Sequence, residues 1–140
     1  MASLRPADAD DRELLRRLLG DYLFEFDGRT EPYPYFDAYR TEPERLSFLI
    51  DVDGTVVGFC LIRVLDDCWH IAEFSVLPEK RRGSVGRSAV DELAERARAA
   101  GATALEAKVH PDNRDALPFW VAVGFEIVSK AEPIVTRRAL

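Results

Sequence analysis

Val76-Leu77-Pro78-Glu79-Lys80-Arg81-Arg82-Gly83-Ser84-Val85-Gly86-Arg87 reads as the end of a strand, a basic loop and the start of a helix. Pro78 stops the strand. The stripe Val85, Ala89, Leu93, Ala97 marks a helix over 85–100, with Gly101 just beyond it. Backbone N–H groups at a helix start lack intrahelical partners, and the helix dipole adds partial positive charge there. Glycines let such a backbone approach an anion, which gives the turn the makings of a phosphate cradle. Lys80, Arg81, Arg82 and Arg87 put four positive charges into eight residues of a chain whose net charge is −6. Two readings stand: an anion site, or solvated arginines around an ordinary helix start.

Working outward, residues 69–77 form the strand that enters the turn. Before it, 46–52 and 55–65 flank Asp53-Gly54, the pair a tight primed hairpin turn prefers. Residues 3–5 read as a short strand stopped by Pro6. Asp10-Asp11-Arg12-Glu13 has capping-box spacing and opens a helix with the stripe Leu14, Leu15, Leu18, Leu19, Tyr22. Residues 22–39 hold all four tyrosines, with Phe24, Phe26 and Phe36, broken by Gly28, Pro32 and Pro34. That stretch reads as a loop with a short helix. After the basic turn and its helix come a strand at 104–109, a helix at 115–123 stopped by Gly124, and closing strands at 125–128 and 134–137. This order implies one domain, 1–140, of α+β (mixed α/β) class with helices packed on a central sheet.

Composition narrows the function classes. The chain is 47% hydrophobic and 31% charged, ordinary for a soluble globular protein. Its acidic balance argues against nucleic-acid binding, which needs a basic surface. The N-terminal MASLRPADADDR carries charges where a signal peptide needs an apolar core, and the apolar runs are too short to span a bilayer. A cytoplasmic protein with no membrane partner is expected. Cys60 and Cys68 lack CxxC spacing and read as reduced packing residues; no metal site is expected.

The basic turn resembles motif A of the GNAT superfamily of N-acetyltransferases, V-x-P-x-x-[RQ]-x-x-G-x-[GA]. Val76, Pro78, Arg81 and Gly86 sit on it in register, while Ser84 replaces the first motif glycine. Residues 110–125 resemble motif B, N-x-x-A-x-x-F-Y-x-x-x-G-F, through Asn113, Ala116, Phe119, Gly124 and Phe125, with Trp120 in place of the tyrosine. The opening Leu4-Arg5-Pro6-Ala7 and the hairpin before motif A also fit. The resemblance covers nearly the whole chain and is weakest over 27–45.

The resemblance implies a GNAT-like central, mostly antiparallel, splayed sheet flanked by helices. It also implies an N-acetyltransferase that moves an acetyl group from acetyl-CoA to a primary amine of a small molecule or peptide by direct attack. The main chain of Phe74, Ser75, Val76 and Leu77 would line the pantetheine arm, with the Val76 N–H polarising the thioester carbonyl. Arg81, Arg82, Gly83, Ser84, Val85, Gly86 and Arg87 would hold the pyrophosphate, with Asn113, Phe119 and Trp120 on the other side. Glu73 is the best-placed base for the ammonium proton, against an alternative in which it faces outward as a cross-strand charge partner. His110, and less so His70, are further catalytic candidates. The acceptor would meet Glu73, Phe26, Tyr33 and Tyr35, with Tyr22, Phe36 and Tyr39 nearby and Glu25, Asp27 and Asp37 receiving its positive charge. These aromatics read equally well as a satellite core. Ser84 and Trp120 keep open a non-catalytic acyl-CoA-binding module, and the brief last strand suggests a homodimer.

Overall fold

The computed structural model describes residues 1–140 apart from Arg82 and the side chains of Asp112 and Arg114. The described chain runs β1 (Ala2–Pro6), α1 (Arg12–Asp27), α2 (Ala38–Thr41), β2 (Arg45–Val52), β3 (Thr55–Val64), β4 (Cys68–Val76), α3 (Val85–Ala99), β5 (Ala104–Val109), α4 (Leu117–Ala122), β6 (Glu126–Ser129) and β7 (Ile134–Ala139). The strands form one seven-stranded sheet in the order β1-β2-β3-β4-β5-β7-β6. Every neighbouring pair is antiparallel except β4 and β5. No helix is long and apolar enough to cross a membrane among the described residues.

Period-two alternation feeds two cores, one on each face of the sheet. On one face Leu15, Leu18, Leu19 and Leu23 of α1 pack on Leu49, Phe59 and Leu61. On the other, Ala89, Val90, Leu93, Ala94 and Ala97 of α3 pack on Ile50, Cys60, Ile62, Leu105 and Val109. Phe59, Cys60, Leu61 and Ile62 are all buried, so β3 reads as a continuous apolar run because both of its faces are covered. Burial also pushes the Cys60 thiol up to about 12, the mark of an inert packing residue.

Local chemistry sets the element ends. Asp53 and Gly54 both have positive φ, 51° and 85°, the primed turn the dipeptide announces. Gly28 ends α1 in the left-handed region at φ 73°, its N–H bonded to the Phe24 carbonyl. The capping box lies earlier than the sequence spacing suggests. Asp8 accepts from Asp10 N, while Asp11 accepts from Asp8 N at 2.9 Å, closing a 3₁₀ turn over Ala9–Asp11 before α1 begins. The chain offers two overlapping acid pairs, Asp8/Asp11 and Asp10/Glu13, and Arg5 decides between them by gripping both Asp11 oxygens at 2.8 and 3.2 Å.

The last strand also departs from expectation. β7 pairs with β5 on one side and β6 on the other, so it is an inner strand that needs no partner to complete it. The brief final strand is therefore not an open edge; the edges of the sheet are β1 and β6.

Candidate active site

Pairing between β4 and β5 is confined to Cys68–Ile71 against Ala104–Ala107. Beyond Ile71, β4 stays with β3 and parts from β5. A register shift marks the departure: Ile62 faces Ile71 but Leu61 faces Glu73, leaving Ala72 as an extra residue. Such a bulge bends and twists its strand. It also sets two successive side chains, Ala72 and Glu73, on the α1 face. Ala72 packs against the α1-side core, and Glu73 meets the Tyr22 and Tyr33 hydroxyls. Phe74, next along, turns to the α3 side against Phe119 and Trp120, at ring separations of 5.8 and 5.6 Å. The outward-facing alternative for Glu73 is thereby excluded.

The divergence of β4 and β5 opens a cleft of about 730 Å³, lined by β4 from Ile71 to Val76 and by Ala107, Asn113, Phe119 and Trp120 across from it. Tyr22, Glu25 and Phe26 of α1 close its near end. Burial pushes the Glu73 carboxyl up, and hydrogen bonds from Tyr33 and Tyr22, with the Arg29 charge, pull it partly back. Burial raises both phenols as well, and the Glu73 charge raises them further. They stay protonated and donate to the carboxylate. The cleft thus holds a half-buried carboxyl that burial keeps above its usual pKa, bonded by two phenols.

Backbone groups supply the second element of the site. Leu77 N donates to Val57 O at 2.8 Å. An antiparallel ladder bonds alternate residues, so the Phe74 and Val76 backbone groups point away from β3, toward the gap. One of these is already claimed: Arg81 Nε donates to the Val76 carbonyl at 2.7 Å. The same guanidinium grips Glu25 with Nη1 at 2.9 Å and Nη2 at 2.7 Å. The Arg81 charge is therefore turned to α1 and β4, and Glu25 is committed to it rather than waiting for a cationic acceptor. Tyr22, Glu25, Ser75 and Arg81 also line a second cavity of about 330 Å³, in which Leu77 takes part.

The third element is the start of α3. Ser84 occupies the N-cap without a side-chain cap bond, and no acidic residue stands in the first turn. The first helical bond runs from Ser88 N to Ser84 O at 2.9 Å, leaving the Val85, Gly86 and Arg87 amides outside the helical ladder. A Cβ at Gly86 would sit 2.9 Å from Phe119 Cε1, so the Phe119 ring would have to shift to admit it, whereas Gly83 has nothing within 4 Å. Gly83 and Gly86 line the cleft; Ser84, Val85 and Arg87 do not. Val85 packs against the α3-side core, and Arg87 donates to the Ala122 carbonyl at 2.7 Å. Arg82 lies outside the described residues.

The remaining candidates divide. Trp120 is buried against Phe119 and Phe125 at 5.0 and 5.1 Å. Asn113 lines the cleft from a non-helical position, φ −132°, in the turn before α4. His110 does not line it: β5 ends at Val109, and the exposed His110 begins the turn, its carbonyl accepting from Asn113 N at 2.9 Å. His70 lies upstream of the divergence, bonded to Glu106 at 2.9 Å; burial lowers its pKa against the pull of Glu106. Of the aromatic segment, Phe26 lines the cleft and Tyr33 reaches Glu73. Tyr35 is 52% exposed under Arg45, Phe36 lies under Arg12 and Arg16, and Tyr39 is buried in the α1-side core. The segment is pocket wall at one end and satellite core at the other.

Sequence reasoning missed Gly58 and the Arg81–Glu25 pair. A Cβ on Gly58 would strike the Ser75 carbonyl and come within 3.1 Å of Val76 Cα, so β3 approaches the end of β4 more closely than any other residue permits. Its only sequence signal is an isolated glycine inside an apolar strand.

The family model described as Acetyltransferase (GNAT) family matches residues 12–125. No curated protein matches the chain in sequence. Among solved structures, the fold is shared with a GNAT-family acetyltransferase from Staphylococcus aureus Mu50, at TM-score 0.83 and 13% identity over 100% of this chain and 99% of that one. It is also shared with the PaiA N-acetyltransferase of Thermoplasma acidophilum in complex with coenzyme A (0.78, 14%, 100% and 99%). A third is the ribosomal-protein-S18-alanine N-acetyltransferase of Escherichia coli (0.74, 17%, 99% and 94%).

Proposed function

The chain belongs to the GNAT acetyltransferase family, and from that premise we propose that it is a cytoplasmic enzyme transferring an acetyl group from acetyl-CoA to a primary amine of a small molecule or peptide. One observation carries the reading: the bulge at Ala72 sets Glu73 on the α1 face where β4 leaves β5, beside the cleft that runs to the start of α3. The residues present fit the cofactor. The cleft runs along β4 from Ile71 to Val76 and on to Gly86, the α3 start has no side-chain cap bond from Ser84, and Gly86 lets Phe119 close against the helix.

Bound acetyl-CoA supplies an activated thioester carbonyl. The backbone of Phe74 and Val76 would pair with the pantetheine arm as with an added strand, Ser75 and Leu77 flanking it. The Val85, Gly86 and Arg87 amides would hold the pyrophosphate with the helix dipole behind them. The Val76 N–H would donate to the carbonyl oxygen, where negative charge grows during attack. Glu73 would take the proton of the incoming ammonium, Tyr22 and Tyr33 fixing its carboxylate, and Phe26 would wall the acceptor. Trp120 offers no hydroxyl to protonate the departing sulfur, which leaves as a thiolate of a thiol with pKa about 8.5.

Calorimetric titration with acetyl-CoA, followed by thiol release across an amine panel, tests the reading. Saturable binding with turnover of at least one amine is expected. Failure to bind CoA at all would overturn it. Tight binding with no turnover on any amine would favour a non-catalytic acyl-CoA sensor, the reading that Trp120 supports.

A further inference from the structure

Arg81 makes three hydrogen bonds to two elements: one to the Val76 carbonyl at the end of β4 and two to Glu25 in the last turns of α1. A planar guanidinium can face a carboxylate with its two terminal nitrogens while its Nε points elsewhere; an ammonium cannot. The pair is no stabilising device, since the two side chains are 41% and 47% exposed and such pairs contribute little to folding. Its effect is on what β4 offers to the cleft. The Phe74 and Val76 backbone groups face the gap, and Arg81 sits on the last carbonyl of that row, occupying one of its two acceptor sites and standing against it.

We infer that Glu25 is a positioning residue: by anchoring Arg81 on the Val76 carbonyl, it fixes where an arm added along β4 must stop. This rests on the acetyl-CoA reading above. A strand ladder repeats every two residues, so an added strand can slide by two and find equivalent donors and acceptors. With the Arg81 guanidinium seated on the Val76 carbonyl and the Val76 N–H facing the gap, only one register ends on the N–H. Without the anchor the loop arginine is released, carbonyl and N–H are both open, and a slipped, unproductive register becomes accessible.

The test is Glu25→Gln, with Arg81→Lys as the variant that keeps the charge and loses the fork. Glu25→Gln is expected to lower kcat about tenfold while the KM for acetyl-CoA moves less than about threefold, and to shift Tm by no more than about 4 °C. In the free protein the Leu77 amide, which closes the ladder beside Val76, should exchange hydrogen at least about fivefold faster. Combining the two substitutions should cost little more than either alone, as for two halves of one interaction. A Leu77 amide and a kcat both at wild-type values in Glu25→Gln, in a protein that binds CoA, overturn the inference alone. Additive losses in the double variant overturn it too. A wild-type protein that binds no CoA overturns the reading beneath and this inference with it.

Discussion

Glu73 is held by opposing influences. Burial favours its protonated form, and two phenols and Arg29 favour the carboxylate, with burial the larger. A base must be free of its proton at working pH yet basic enough to accept another, and a carboxyl raised by burial approaches that balance. The same arrangement costs stability. The native state holds the Glu73 proton more tightly than the unfolded chain does, so stability is full below the ordinary carboxyl value and falls as pH rises through the interval to the raised native one. Glu73→Gln, which keeps the shape and removes the charge, should abolish that fall. Its Tm advantage over wild type should grow from pH 4 to pH 7, while kcat drops by about 10²–10⁴-fold. An unchanged pH dependence of Tm would mean that the carboxyl titrates normally. Ser84 is a milder case. Its hydroxyl caps nothing, so Ser84→Gly gives up no bond and brings the backbone nearer an anion. CoA should bind the variant as tightly as wild type or up to about threefold more tightly by calorimetry; weaker binding would mean that the serine contributes a contact of its own.

At the scale of the element, β4 carries the site because it changes phase. Trp69 and Ile71 point to the α3-side core, and so do Phe74 and Val76, which a regular strand cannot achieve because the two pairs differ by an odd number of residues. That switch from odd to even apolar positions is the one trace of the bulge in the sequence. It is a weak trace, since Ala72 is small enough to sit on either face and Glu73 is polar in both readings. Asp53-Gly54 and Gly101 were legible because each turn demands a backbone conformation few residues adopt; a bulge makes no such demand. Deleting Ala72 should leave Glu73 opposite Leu61 but straighten the strand, extending the β4–β5 pairing and narrowing the cleft. The deletion should weaken CoA binding at least about tenfold, with the far-ultraviolet circular dichroism unchanged. Wild-type affinity would show that the strands part for another reason.

Across the whole molecule, the sheet is two sub-sheets, β1 to β4 and β5-β7-β6, joined by only four residue pairs. Element order was readable from local patterns, because each strand and helix announces itself by period and by stop residues. The placing of β7 between β5 and β6 was not, because hairpin spacing says that β6 and β7 pair and nothing about which lies inward. The candidate site lies along this seam: Glu73 and the Val76 backbone come from the first sub-sheet, and Asn113, Phe119 and Trp120 from the segment that follows β5. A ligand lying in the cleft supplies the cross-seam contacts that β4 and β5 stop making after Ile71. It must bind the folded chain far better than the unfolded one, and so must raise stability by RT ln(1 + [L]/Kd), about 2.7 kcal/mol at a hundredfold excess over Kd. For a chain of 140 residues that corresponds to a Tm rise of roughly 8–10 °C with CoA. The rise should come with slowed amide exchange at Phe74 and Val76, whose N–H groups face the seam, and not at Leu77, already bonded to Val57. A Tm that climbs with CoA while exchange at Phe74 and Val76 stays as in the free protein would place the ligand elsewhere than along β4.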